Sequence, residues 1–252
     1  MAPPPVERTA AGRILVALDD AEAAVGALST AAFLASRLQA ELHGLYVEDI
    51  DLLRLAGLPF ARTVGHASAR SQPLDFAAVE RAFRQQAERM RALMEEMAER
   101  ERLAWSFQVE RGRLLDAMMA AAGSADMLVF CRPAALRHGS AGPALALLRR
   151  EADVAEVLPL ARDLAQEEGN LLVAAVDGAL LETARAWLRQ RGVAARLTVW
   201  PEADWTMLAA RERARVLVLG SGDGLSAADS ALLGEVRCPV VLLRSSAHAI
   251  GS

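Results

Sequence analysis

Continuous apolar runs alternate along this chain with segments whose apolar residues recur at helical spacing. "RILVALDD" (Arg13 to Asp20) is uninterrupted and ends in acids, the pattern of a strand buried on both faces of a parallel sheet. "AAVGALSTAAFLASRLQA" follows with Leu28, Ala31, Ala32, Ala35 and Leu38 on one helical stripe. "ELHGLYVED" (Glu41 to Asp49) predicts a second strand. "IDLLRLAGLPFARTVGHASARSQP" predicts a loop with one helical turn, stopped by Pro59. A long helix spans about Asp75 to Leu103, where Phe76, Phe83, Met90 and Met97 recur every seven residues. The e and g positions lack paired charges, so the stripe suits a sheet better than a coiled coil.

"WSFQVERG" predicts a third strand, "RLLDAMMAAAG" a helix and "ADMLVFCR" a fourth strand. "ALALLRRE" then reads as a helix and "DVAEVLPLA" as a fifth strand, closing a first unit over residues 13–162. After the polar joint "RDLAQEEG" the pattern repeats: "NLLVAAVDGA" echoes "RILVALDDAE" at a spacing of about 160 residues. "ARLTVWP", "RVLVLGS" and "CPVVLLR" supply further strands, separated by short helices around Leu180, Trp205 and Ala231. The second unit, 163–252, is shortened, omitting a strand and the long helix. The predicted fold class is α/β, with two tandem open parallel-sheet units of Rossmann-like form. Trp187 and Trp205, in the shortened unit, are expected to cover its sheet or an interface.

Composition narrows the function. A net charge of −4 and pI near 5.7 offer no basic field for nucleic acid or anionic lipid. The chain has no lysine, which removes a P-loop lysine, Schiff-base chemistry and a lysine base. Cys131 and Cys238 are the only cysteines, too few and too isolated for a disulfide framework or zinc site. The first twelve residues read as a disordered tail without a signal-peptide core, and no uncharged apolar run reaches ~18 residues. A soluble cytoplasmic protein is the expectation.

The phrases "ILVALDDAEAAVGALSTAAFLASRLQAELHGLYVE", "VLVLGS" and "CPVVLL", in this order and partly duplicated, resemble the universal stress protein family. "VEDIDLLRLAGLPFAR" is similar to a loop of some bacterial members. The resemblance covers nearly the whole chain after the tail. It implies five-stranded parallel sheets, pairing through last strands (here "VAEVLPL" and "CPVVLL"), a role in stress adaptation, and in many members ATP or another adenine nucleotide.

In an open α/β sheet, ligands bind beyond the carboxyl ends of strands where strand order reverses. Asp19 and Asp177, each read as ending the first strand of a unit, can accept hydrogen bonds from a ribose or base; Val47, within the second strand, is a further nucleotide-binding candidate. Asp19 with Asp20 suits a magnesium ion or, more simply, a helix cap. Gly220, Gly222, Gly224 and Gly234 form the loop best suited to a phosphate. The family pattern is a glycine, two residues, a glycine, nine residues, then glycine with serine or threonine. Nine residues do separate Gly224 from Gly234, but three separate Gly220 from Gly224, and Glu235 replaces the hydroxyl. A carboxylate ~4 Å from a phosphate costs on the order of 4 kcal/mol at an effective dielectric of about 20. In the first unit, Gly139 and Ser140 match the family's final pair, and Arg132, Arg137 and His138 precede them, but Pro133 removes an amide.

His43 reads as a satisfied strand histidine, and no histidine pair has metal-ligand spacing. Ser221 lacks the glycine two residues earlier that a nucleophile elbow requires, Leu219 standing there. These readings predict a regulatory binding protein rather than an enzyme, acting through a protein partner or small anion with a degraded ATP site. The alternative is an ATP or AMP sensor using loop 220–235 or 132–142. No cofactor is certain, no metal is expected, and a homodimer is.

Overall fold

The computed structural model describes residues 12–18, 21–64, 71–122, 124–131, 142–165, 170–200, 205–221, 235–236 and 238–244. Strand β1 (Arg13–Leu18), helix α1 (Ala21–Leu38) and strand β2 (Glu41–Asp49) follow the pattern read from the sequence. The segment after β2 carries more structure than the expected single turn: α2 (Ile50–Ala56), then a hairpin of β3 (Arg62–Val64) and β4 (Ser71–Pro73). Asp49 caps α2 by accepting from the amides of Asp51 and Leu52. Helix α3 (Phe76–Glu101) buries Val79, Met90, Met94 and Ala98, and Asp75 caps it. Strand β5 (Trp105–Gly112), α4 (Leu114–Ala122) and β6 (Met127–Phe130) complete the first half.

The following stretch departs from the sequence reading. Ala144–Leu148, expected to be helical, is strand β7, and Glu151–Leu164, expected to hold a fifth strand, is helix α5. An apolar run as short as "ALALL" fits a buried strand or a buried helical turn, and periodicity cannot separate them. The neighbouring helix did carry a signal. Val154, Val157, Leu158, Ala161 and Leu164 are buried at helical spacing, despite the β-branched residues and an interior Pro159. Then come β8 (Leu171–Ala175), α6 (Gly178–Gln190), β9 (Arg196–Val199), α7 (Trp205–Arg211), β10 (Val216–Gly220) and β11 (Val240–Leu243).

Nine strands form one sheet in the order β5-β2-β1-β6-β11-β10-β7-β8-β9. Every pairing is parallel except β6–β11. The fold is therefore an open, mostly parallel α/β sheet of two half-sheets meeting at one antiparallel seam. In the first half β1 lies between β2 and β6; in the second β7 lies between β8 and β10.

The repeat begins again at β7, not at Asn170, so a boundary at 162/163 cuts off β7 and α5, which belong with β8 and β10. The second half uses fewer residues, but what it lacks is the β3–β4 hairpin and the length of α3 rather than a strand. It holds five strands to the first half's four. The seam also differs from expectation, because "VAEVLPL" is helical. Strand β11 alone acts as a last strand for both halves, pairing with β10 on one side and with β6, Val240 opposite Phe130, on the other.

Apolar cores cover both faces. One packs α1, α3, α5 and α6 against the sheet; the other packs α4 and α7. Trp205 is fully buried in the second core, and Trp187 is partly buried against the first with Arg191 over its ring at 4.3 Å. The expected covering role of both indoles is what the fold shows.

Candidate functional site at the carboxyl ends of strands β7 and β10

Strand order reverses at β1 in the first half and at β7 in the second, so each half presents a crevice at its strands' carboxyl ends. Of the residues read from the sequence, Asp19, Arg132, Arg137, Gly139 and Ser140 of the first half, and Gly222, Gly224 and Gly234 of the second, lie outside the described residues. Val47 is described. It is a buried residue of the α4-side core, 5% exposed, at the carboxyl end of β2.

The second crevice is described in detail. Leu18 ends β1 and Leu148 ends β7, so Arg149 and Arg150 stand where the first half has Asp19 and Asp20. In the first turn of α5, just after them, lies Asp153, with no solvent exposure. Its Oδ2 accepts from the backbone amides of Arg149 at 2.7 Å and Arg150 at 3.0 Å. Its Oδ1 accepts from the Arg150 guanidinium at 3.0 Å. Arg149 reaches across the crevice, its guanidinium donating to the Gly220 carbonyl at 2.7 Å.

This arrangement explains Gly220 differently from the sequence reading. A Cβ on Gly220 would come within 2.6 Å of Asp153 Oδ1, so glycine is required here by the buried carboxylate. Two amides opening a helix, with a guanidinium beside them, are what a phosphate or carboxylate ligand seeks. In this half the chain's own carboxylate sits on them. The first half has Ala23 at the equivalent position, four residues after Asp19 as Asp153 is four after Arg149. Asp153 was missed because a fully buried aspartate in a first helical turn reads, in sequence, as an ordinary capping acid.

Asp177 follows β8, the second strand of its half, rather than a first strand. It caps α6, accepting from the Leu180 amide at 2.8 Å, and is the counterpart of Asp49 rather than of Asp19. Trp200 and Trp205, at the end of β9 and the start of α7, each bury an indole N–H with no protein acceptor.

Two other polar groupings bring charged or nucleophilic side chains together. At the carboxyl end of β5, a cleft of about 370 Å³ is lined by Arg54, Arg111 and Arg113. All three are paired: Arg54 and Arg113 with Asp51 at 3.4 and 2.8 Å, and Arg111 with Glu48 at 2.9 Å. The Arg113 hydrogen bond holds the Asp51 carboxyl below its ordinary range. At the amino ends of β2 and β5, Ser106 Oγ donates to Glu41 at 2.8 Å, and His43 Nδ1 lies 2.9 Å from the same hydroxyl. With its hydrogen given to Glu41, Ser106 accepts from His43, so the imidazole is not placed as its base. The hydrogen bond from Ser106 lowers the Glu41 pKa, while burial lowers that of His43. Among the described residues no three His, Cys, Asp or Glu side chains are grouped to hold a metal, and no helix is long and apolar enough to cross a membrane.

No family model and no curated protein matches the sequence. Solved structures do match the fold. A universal stress protein from Archaeoglobus fulgidus DSM 4304 aligns with a TM-score of 0.52 at 12% identity, over 92% of this chain and 96% of its own. A protein of Pseudomonas aeruginosa UCBPP-PA14, assigned as a candidate universal stress protein, aligns at 0.51 with 15% identity, over 93% and 94%. The chain has the universal-stress-protein fold.

Proposed function

We propose that this chain is a regulatory binding protein, acting by association with a protein partner or small anion rather than by turnover, and without an intact ATP cradle. It works in stress adaptation as a cytoplasmic homodimer. The observation that carries this reading is the Asp153 carboxylate, seated on the amides of Arg149 and Arg150 at 2.7 and 3.0 Å. A nucleotide phosphate entering that crevice would have to displace a fully buried, ion-paired carboxylate. The sequence of the neighbouring loop agrees, with Glu235 where the family pattern has a hydroxyl. In the first half the sequence has Ala23 at the equivalent position, and Arg132 and Arg137 are the residues read from it as anion ligands. The test is calorimetric titration of the purified chain with ATP, AMP and inorganic phosphate. Phosphate binding with ATP ignored supports the anion reading; one equivalent of tightly held ATP makes the chain a nucleotide sensor instead.

A further inference from the structure

At the amino ends of β1, β2 and β5, four polar side chains form one relay. Glu41 of β2 is engaged on both oxygens: Oε1 accepts from Ser106 of β5 at 2.8 Å, and Oε2 faces the Arg13 guanidinium of β1 at 3.4 Å. Ser106 has one hydrogen and it goes to Glu41, so the hydroxyl accepts from His43 Nδ1–H at 2.9 Å. This fixes His43 as the neutral tautomer with Nε2 bare. His43 lies opposite Ser106 in the β2–β5 register, so the relay ties the two strands together. Strand β5 ends the sheet order and, among the described strands, pairs with β2 alone. The end of such an edge strand is among the first segments of a fold to open.

A proton added to this relay has no favourable place. It would enter at Nε2, where no acceptor stands among the described residues, Glu41 being held by Ser106 and Arg13. Burial opposes the charge most, Arg13 opposes it next, and Glu41 and Glu110 favour it less strongly. His43 shares its face of β2 with Leu45 and Val47, which pack under α4. That helix carries one charge, Asp116 in its first turn, at the far end of the strands. The His43 pKa accordingly lies below its ordinary 6.5. The neutral form therefore stabilises the fold; that stability is present above pH 6.5 and is lost as the pH falls below it. Glu41, held below its ordinary 4.5 chiefly by the Ser106 hydrogen bond, stays ionised through this window. We propose that His43, Ser106 and Glu41 form an acid-sensitive latch, which holds the amino end of edge strand β5 on β2 at neutral pH and releases it when His43 is protonated. This inference is independent of the anion site and of the homodimer.

The experiment is hydrogen exchange of the full chain, read by mass spectrometry over β5 at about pH 7.5 and about pH 5.5 and corrected for the chemical exchange rate. The wild type is expected to lose at least ~3-fold in β5 protection at the lower pH, relative to β7. His43→Gln keeps a neutral side chain that can donate, and it leaves His66, His138 and His248 in place. Its β5 protection is expected to be equal at the two pH values. Ser106→Ala removes the acceptor and should give the lower protection at both. The imidazole titration of the wild type by NMR needs no variant, and the His43 midpoint is expected below 6.5. A midpoint at or above 6.5 overturns the latch. So does β5 protection in the wild type that ignores pH, or a pH response that persists unchanged in either variant.

Discussion

Replacing Asp153 by alanine tests whether its carboxylate serves as a built-in anion. The substitution removes three hydrogen bonds, from the Arg149 amide, the Arg150 amide and the Arg150 guanidinium. Breaking a buried pair by deleting one partner costs about 3–5 kcal/mol when the remaining charge stays buried. Here the Arg150 side chain is 38% exposed and can turn to water, so the lower end, about 3 kcal/mol, is expected. For a chain of this size that is a fall in melting temperature of roughly 6–12 °C. The deletion leaves a cavity shaped for a small carboxylate, so formate should stabilise the variant selectively. At ten times its Kd it would return about 1.4 kcal/mol, and it should leave the wild type unchanged. Urea unfolding in formate and in chloride at equal ionic strength measures both effects. A loss below about 1 kcal/mol, or equal stabilisation by the two salts, would refute the reasoning.

Gly142→Ala should be among the most damaging glycine substitutions, because its Cβ would meet the backbone carbonyl of Arg213, which no rotamer change can relieve. A loss of about 3 kcal/mol is expected, against less for Gly44→Ala, whose Cβ meets the movable side chains of Met94 and Phe107; urea midpoints of the two compare them directly. Cys238 is buried, and burial, with Cys131 nearby, pushes its thiol up to about 12. The native chain at pH 8 should therefore resist iodoacetamide at both cysteines and react only after denaturation, and rapid native alkylation counted by mass spectrometry would contradict that packing.

The strands flanked by acids or glycine were legible because their runs were long and wholly apolar: β1, β2 and β10 lie where the pattern put them. The misreading at β7 and α5 came from a five-residue run that fits either structure and from a helix carrying valines and a proline. That one exchange moved the repeat, and with it the partner of Asp19: Arg149 is its counterpart, whereas Asp177 is a cap. The glycine at 220 was visible in sequence, but its reason was not. Its neighbour Asp153 is 67 positions away and becomes adjacent only when β7 and β10 pair. Glu235 was readable from sequence alone, since its meaning depends on charge rather than on long-range contact. The shared seam strand could not be read, because an edge pairing carries no local pattern.

The most direct test of the central claim is mass spectrometry of small molecules released by denaturing freshly purified protein, followed by calorimetric titration with ATP. The account predicts no co-purified nucleotide and no heat at ATP concentrations up to about 1 mM, which leaves any affinity weaker than about 4 kcal/mol. A stoichiometric adenine nucleotide, or saturable ATP binding in the micromolar range, would contradict it.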